Sequence, residues 1–280
     1  METVNPGRPY VGHFVSWDGG CLFIGADVGV VPPHAHYAIQ IVFGSVPGVR
    51  LRRDEREEWA SYDAAIIASR QPHSMDARTM PYNAVLFVEP ETREGRALAE
   101  LYLNEGIVPV SGEALGASRA ALFAAFMEGR GREALIAASW DAIRALTGGA
   151  TPTVASDERI LRAIAYIRTR LDGALTLEEV AAEACLSPSR FRHLFVEQTG
   201  MALRPYILWR RFLKVWELVM AGGSLSSAAH AAGFADAAHL TRTSRRMFGF
   251  PPSAMQVNAA LRLPPGAGYH RPENSAPTYK

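Results

Sequence analysis

The sequence predicts an α+β chain, with β-structure in the first hundred residues and an all-α region at the C-terminal end. Three observations lead to this prediction. Short apolar and β-branched runs fill the first part, two helical stripes follow them, and the last part contains one helix-turn-helix pattern twice. At 280 residues the chain is long enough for two domains with separate cores.

The N-terminal hundred residues contain four strand-like runs separated by Gly, Pro and charged clusters. These runs cover residues 21–24, 38–43, 64–69 and 84–88. Their lengths and spacing predict a small antiparallel β-barrel or sandwich. The chain has two cysteines, and we expect both to be buried free thiols rather than a disulfide or a zinc site.

Histidines occur within and beside these runs. His34 and His36 alternate along a strand-like segment, so their side chains should point the same way, toward Gln40 and the later His73. Three interpretations stay open for these four residues: a metal-free ligand pocket, a metal site on the three histidines, or a structural role at the mouth of a barrel. We expect no cofactor.

Two helices are predicted over residues 113–146, with a break at the glycines of 129–131. Their apolar stripe forms either a dimer face or a surface that packs on the barrel. The stripe consists of Leu115, Leu122, Phe126, Leu135, Ile136 and Trp140.

Composition changes sharply after this hairpin, where a Gly-, Pro- and Thr-rich stretch predicts a flexible linker. A second change, to a Pro-rich polar end, predicts a disordered tail. The predicted parts are a β-barrel domain at 1–112, a dimerisation or packing hairpin at 113–146, a linker at 147–156, a helical domain at 157–262 and a tail at 263–280.

The duplicated pattern spans residues 176–200 and 224–249. Its apolar skeleton recurs with an offset of 49 positions, since Phe191, Phe195, Gly200 and Tyr206 correspond to Leu240, Ser244, Gly249 and Met255. The stretch between the copies, 202–221, has helical periodicity and a length of about 30 Å. Successive major grooves on one face of DNA lie about 34 Å apart. We therefore expect two recognition helices in adjacent major grooves of double-stranded DNA.

Charge is distributed unevenly along the chain. Residues 156–262 contain 14 Lys and Arg against 9 Asp and Glu, whereas the remainder contains 15 against 19. A basic C-terminal part in a chain of net charge +1 is consistent with nucleic-acid binding.

Two sets of residues should lie on the outward faces of the second helix of each unit. The alternative for both sets is a solvated polar face without function. In the first set we expect Arg190 and Arg192 to reach guanine edges. In the second set we expect Arg245 and Arg246 to reach phosphates. The first set is Ser189, Arg190, Arg192 and His193, and the second is Ala237, Ala238, His239, Thr241, Arg242, Arg245 and Arg246.

The region 156–260 resembles the DNA-binding domain of AraC/XylS-type bacterial transcription regulators. The resemblance rests on SRFRHLFVEQTG at 189–200, AGF at 232–234, LTRT at 240–243 and G-x-P-P at 249–252. It implies a regulator rather than an enzyme, with promoter DNA, an unknown small-molecule effector, RNA polymerase and a second copy of the chain as partners. Ser244 departs from the family, which usually has an aromatic residue there, so we expect loose packing of the second recognition helix.

The histidine pattern resembles the cupin sequence HxH-x3-E…H, with Gln40 in place of the carboxylate. In enzymatic cupins this set holds iron, manganese or zinc, whereas cupin-like sensor domains of AraC-type regulators usually lack the metal. The resemblance implies a cupin-like sensor barrel. The alternative function is a metal-dependent cupin enzyme with an appended DNA-binding domain.

The chain contains no apolar run of the roughly 18–20 residues that a membrane helix needs, and its first residues do not resemble a secretory signal. We therefore expect a cytoplasmic protein without a membrane partner.

Overall fold

The computed structural model describes residues 11–253 except 27, 104–105 and 155. The predicted tail at 263–280 and the equivalence of Tyr206 with Met255 lie outside the described residues.

The β-structure consists of two antiparallel sheets. A six-stranded sheet has the order β1-β2-β9-β4-β7-β10, and a four-stranded sheet has the order β3-β8-β5-β6. The strands are β1 (Val11–Trp17), β2 (Gly20–Ala26), β3 (Val30–His34), β4 (Ile39–Gly44), β5 (Val49–Arg52), β6 (Ala60–Tyr62), β7 (Ala64–Ile67), β8 (His73–Asp76), β9 (Asn83–Val88) and β10 (Ile107–Val110).

The helices follow the sheets, apart from one that lies between β9 and β10. They are α1 (Arg93–Tyr102), α2 (Gly112–Met127), α3 (Arg132–Thr147), α4 (Glu158–Arg168), α5 (Leu177–Glu183), α6 (Pro188–Thr199), α7 (Leu203–Met220), α8 (Leu225–Ala231) and α9 (Ala237–Phe248). The α+β fold class is confirmed, with β-structure first and a helical region with two helix-turn-helix units last.

The six-stranded sheet is buried on both faces, as alternation of side chains along its strands allows. On one face Leu22, Ile41 and Leu86 pack beneath α2 and α3. On the other face Phe23 and Phe87 pack toward the four-stranded sheet and the C-terminal helices. The sheet is thus the central layer of the molecule.

The apolar stripe of the α2–α3 hairpin faces this sheet rather than a second chain. Leu115, Leu122, Phe126 and Leu135 are buried within the chain, and Ile136 and Trp140 pack at the margin of the same core. The structure therefore favours the packing interpretation of this stripe, because the sheet covers its four buried residues within the chain.

The C-terminal helices share a core with the β-structure. The ring centroids of Phe23 and Trp216 lie 5.4 Å apart, those of Phe87 and Trp209 5.8 Å, and those of Phe87 and Phe248 5.9 Å. Helix α7 contributes both tryptophans. The long helix between the two helix-turn-helix units is consequently anchored on the β-structure.

The segment 147–156 is less free than its composition indicates. The Thr153 N–H and hydroxyl both donate to the Glu100 carboxylate, and Ser156 accepts from Arg96 at 2.7 Å. Ser156 also donates to the backbone carbonyl of Glu91. The predicted flexible linker is instead held against α1, because its hydroxyl groups find partners there.

The two cysteines differ in exposure. Cys21 is buried in β2, as predicted, but Cys185 is exposed in the turn between α5 and α6, where its φ is +54°. The prediction of a buried thiol is wrong at Cys185, because the turn projects this side chain into solvent. Among the described residues, no helix combines the length and apolar character needed to cross a membrane.

Candidate nucleic-acid interface and histidine cluster

The first helix-turn-helix unit consists of α5 and α6. Thr176 and Glu179 form a capping box at the start of α5, Ser187 caps α6, and Pro188 occupies its first turn. Gly200 ends α6 in the left-handed conformation. The face of α6 that packs inward consists of Phe191, Leu194, Phe195 and Thr199.

The outward face of α6 carries the four residues predicted to read DNA. Ser189, Arg190, Arg192 and His193 are all exposed. Neither Arg190 nor Arg192 forms an ion pair with another described residue. Both guanidinium groups are thus available for a base edge or a phosphate.

The second unit consists of α8 and α9, which Ser224 and Asp236 cap. Five of its seven predicted residues are exposed and two are partly buried. The His239 ring packs edge-on against Phe234 with centroids 5.3 Å apart, and the Thr241 hydroxyl donates to the Ala237 carbonyl. The exposed residues are Ala237, Ala238, Arg242, Arg245 and Arg246.

Ser244 does not loosen α9. It is fully buried, and its hydroxyl donates to the Phe250 carbonyl at 2.6 Å. The neighbouring Phe248 stacks on Phe212 with ring centroids 4.5 Å apart. The expectation of loose packing is therefore wrong, because the hydroxyl is satisfied and other aromatic rings supply the apolar contact.

Helix α7 separates the two units. Its 18 residues correspond to a length of about 27 Å. Because α5–α6 precede α7 and α8–α9 follow it, this one helix joins the two units in the chain. The role of 202–221 in spacing the two reading helices stays a prediction.

A second cluster lies between the four-stranded sheet and β4 of the six-stranded sheet. β3 pairs with β8 so that His34 is opposite His73, and His36 and Gln40 follow within a few residues. Ring centroids are 4.3 Å apart for His34–His73, 5.2 Å for His36–His73 and 5.8 Å for His34–His36. The structure thus brings together all four residues selected from the sequence.

The cluster is buried and neutral. His36, His73 and Gln40 are at most 2% exposed, and His34 is partly buried. Burial lowers the pKa of His36 to about 3 and that of His73 to about 4, and the neighbouring histidine also contributes at His36. The pKa of His34 is likewise lowered well below its usual range, mainly by burial. All three rings are therefore uncharged near neutral pH.

A buried acidic pair, which the sequence analysis did not identify, joins the β-structure to α7. Glu89, fully buried, accepts hydrogen bonds from Arg210, Arg168 and Trp209. Glu91 accepts from the hydroxyl groups of Tyr37 and Tyr206. Burial, together with the charge of Glu89, raises the pKa of Glu91 to about 8. The sequence contains one signal for this pair, because Glu89 and Glu91 directly follow the predicted strand at 84–88.

A cleft lies between β1, the α2–α3 hairpin and the end of α7. Its volume is about 370 Å³, and its walls are largely apolar. The polar groups at its margin come from His13, Arg132 and Glu217. The cleft contacts both the β-structure and the helix that joins the two units.

The comparisons agree with this architecture. A family described as a helix-turn-helix domain matches residues 180–257. The regulatory protein PocR of Salmonella typhimurium is 30% identical over 115 residues, which are 40% of this chain and 37% of PocR. The chain thus matches little more than a third of the length of this curated relative.

Solved structures resemble a larger part of the chain. ToxT from Vibrio cholerae O395 has a TM-score of 0.56 at 10% identity, covering 87% of this chain and 99% of its own. ToxT of strain SCE256, solved with a bound unsaturated fatty acid, has a TM-score of 0.51 at 10% identity and covers 90% of this chain and 96% of its own. At such identities the likeness concerns the fold.

Proposed function

We propose that the chain is an AraC-type regulator that binds promoter DNA through α6 and α9 while its N-terminal domain senses a small ligand. The curated relative is a regulatory protein, and no comparison supports the alternative of a metal-dependent cupin enzyme.

The observation that carries this proposal is the arrangement of the reading helices. Each helix has its own side-chain cap and its own left-handed glycine, and α7 joins the two units in the chain. Each also presents exposed arginines. We assign base reading to Arg190 and Arg192 in α6, and phosphate contacts to Arg245 and Arg246 in α9.

For the organic effector we propose the cleft beside β1. It combines apolar walls with the cationic Arg132, a combination that suits a small amphiphilic acid. The fatty acid bound by ToxT belongs to this chemical class. Because Glu217 and Met220 of α7 also line the cleft, a ligand there would contact the helix that spaces the two units.

The proposal includes two further partners, RNA polymerase and a second copy of the chain, and a cytoplasmic location. A dimer would have to use a surface other than the four buried residues of the hairpin stripe, since the sheet covers them. Multi-angle light scattering of the full chain, with and without DNA, measures the oligomeric state.

The test uses the full chain and a DNA fragment selected by it from a random-sequence pool. We expect a footprint with two protected segments centred one helical turn apart. We also expect log Kobs to fall steeply with log[salt], by about 0.9 for each phosphate contact. One protected segment, or an affinity independent of salt, would contradict reading by two helices.

Matched arginines provide the control. Arg245→Ala should flatten the salt slope by about one unit, because one phosphate contact is lost. Arg130→Ala, an exposed arginine in the turn between α2 and α3, should leave both the slope and the footprint unchanged.

A further inference from the structure

We propose that His34, His36 and His73, with Gln40 as a further ligand, bind a divalent transition-metal ion, and that this ion controls the seating of α9 on β3. The geometry of the cluster alone supports the metal site, whereas the control of α9 depends also on the proposed function.

The first argument is the orientation of the three rings. Each Nδ1 lies within hydrogen-bond distance of a backbone carbonyl: His34 of Pro32 at 2.9 Å, His36 of Ala38 at 2.8 Å and His73 of Gln71 at 2.9 Å. A neutral ring that donates from Nδ1 carries a lone pair on Nε2. Histidine ligands of metals are typically fixed in this way, with the other ring nitrogen donating to a carbonyl.

The second argument is that the Nε2 lone pairs of His36 and His73 face no hydrogen-bond donor among the described residues. The Nε2 atom of His73 is buried without a hydrogen-bond partner among the described residues. The Nε2 atom of His36 lies 2.6 Å from the Gln40 Oε1, so two acceptors face each other when Nδ1 holds the proton. A cation between these atoms satisfies both acceptors and the orphaned nitrogen of His73. Rotation of the Gln40 amide satisfies only His36.

Distances decide what kind of ligand fits. One ligand atom from each histidine lies within 4.8 Å of the others, which leaves space for an ion and not for an organic molecule. Zinc–nitrogen bonds of about 2.0–2.1 Å place tetrahedral ligand atoms about 3.3 Å apart. The most widely separated histidine atoms must therefore approach each other by up to about 1.5 Å when the ion binds, while His36 Nε2 and Gln40 Oε1, 2.6 Å apart, must separate.

The donor types select the class of metal. Three imidazoles and one amide oxygen suit Zn²⁺, Co²⁺, Ni²⁺ or Fe²⁺, whereas Mg²⁺ and Ca²⁺ prefer sets of oxygen ligands. None of the four ligands is charged, so the ion keeps its full charge. We expect an anion or hydroxide from solvent to complete the coordination on the side of His34, the least buried ligand.

The site is adjacent to the end of the second reading helix. The Pro32 carbonyl that accepts from His34 also packs against Gly249, where an added Cβ would lie 2.9 Å from its oxygen. The His36 ring contacts Phe87 with centroids 4.6 Å apart, and Phe87 contacts Phe248. Movement of the histidine rings toward an ion thus reaches the C-terminal end of α9 by two routes.

The experiment titrates tag-free full-length protein with ZnCl₂ by isothermal calorimetry and with CoCl₂ by visible absorption. We expect one ion per chain and ligand-field bands of a site with nitrogen and oxygen ligands. His36→Ala and His73→Ala should weaken zinc binding by at least about 100-fold, because changing even an outer partner of a metal ligand costs about 10–100-fold. His230→Ala, an exposed histidine on α8, should bind zinc like the wild type.

Loss of folding must be separated from loss of ligands. His34→Ala changes the least buried ring, so it should retain the wild-type circular dichroism and melting in metal-free buffer while losing zinc affinity. A folded His34→Ala protein with unchanged zinc affinity, or a wild type that binds no stoichiometric zinc or cobalt, would overturn the site.

Control of α9 is measured as the affinity for the selected DNA with and without zinc. We expect a several-fold change in wild type and none in His36→Ala. Stoichiometric zinc binding with unchanged DNA affinity would overturn the control of α9. Failure of both metal-free and zinc-loaded protein to bind any selected DNA would instead reject the proposed function, and the zinc titration would still decide the site.

Discussion

The two helix-turn-helix units share one pattern but differ in their surroundings. In the first unit, α6 presents Arg190 and Arg192 to solvent and ends at Gly200, with nothing within 4 Å of where a Cβ would be. In the second, α9 presents two alanines early and ends at Gly249, pressed against Pro32 of β3. The β-structure thus constrains the end of α9 but not that of α6, and we expect the first unit to discriminate DNA sequences more than the second.

The largest expected effect concerns the helix that both units share. Glu89→Ala should lower the free energy of unfolding by about 3–5 kcal/mol, because Arg168 and Arg210 would lose their buried carboxylate partner. Denaturant unfolding of the full chain measures this loss. Glu58→Ala, at an exposed position, should change it by less than about 0.5 kcal/mol. A small effect of Glu89→Ala would show that the β-structure does not anchor α7.

The second prediction concerns discrimination. Arg192→Ala should reduce the preference for selected over scrambled DNA by about 1–3 kcal/mol, because a bidentate guanine contact would be lost. Thr241→Ala should reduce it less, since the Thr241 hydroxyl already donates to Ala237. Competition binding ranks the two variants. The reverse ranking would assign sequence reading to the second unit and break the comparison.

The third prediction compares the two terminal glycines directly. Gly200→Ala and Gly249→Ala both place a Cβ in the left-handed region, at φ +73° and +77°, which costs about 1–2 kcal/mol. Only Gly249→Ala adds a clash with the Pro32 carbonyl, so it should destabilise the protein more. Melting of both variants tests this difference, and equal losses would mean that β3 does not constrain α9.

The smallest expected effect is a pH dependence at the interface. The folded pKa of Glu91, about 8, lies above its value in the unfolded chain, so the folded state binds more protons between these two pKa values. The free energy of unfolding therefore falls as pH rises, until Glu91 has ionised in the folded state above about pH 8. Between pH 7 and 9 the loss should be about 1 kcal/mol. In Glu91→Gln, which cannot ionise, the decline over this range should be smaller by that amount. If the wild type and Glu91→Gln lose stability equally over this pH range, Glu91 does not cause the decline.

Local signals were sufficient to predict much of the fold and of the candidate interface. The caps Thr176, Ser187 and Asp236 act within a few residues of their own position, so spacing alone identifies them. The four predicted strands coincide with β2, β4, β7 and β9, which are buried and apolar. β3 and β10 contain prolines, and β6 is short and largely exposed, so their periodicity is weak.

Long-range pairing explains what the sequence could not predict. Glu89 and Arg210 are 121 residues apart, and no local pattern connects them. The stripe of the α2–α3 hairpin could face a sheet or a second chain with the same periodicity, and only the tertiary structure distinguishes the two. At Ser244 the partner is the Phe250 carbonyl, whose position depends on how the chain leaves α9.

The aromatic core shared by the sheet and α7 has a consequence for how such regulators can evolve or be re-engineered. If the C-terminal part were exchanged for that of a distant relative, Phe23 and Phe87 would pack against side chains of a different size and shape. Such a chimera would expose Trp209 and Trp216, or leave voids beside them, and should be insoluble unless the sheet face is exchanged too. The β-structure and the C-terminal helices of this chain should therefore be exchanged as one piece rather than as separate cassettes.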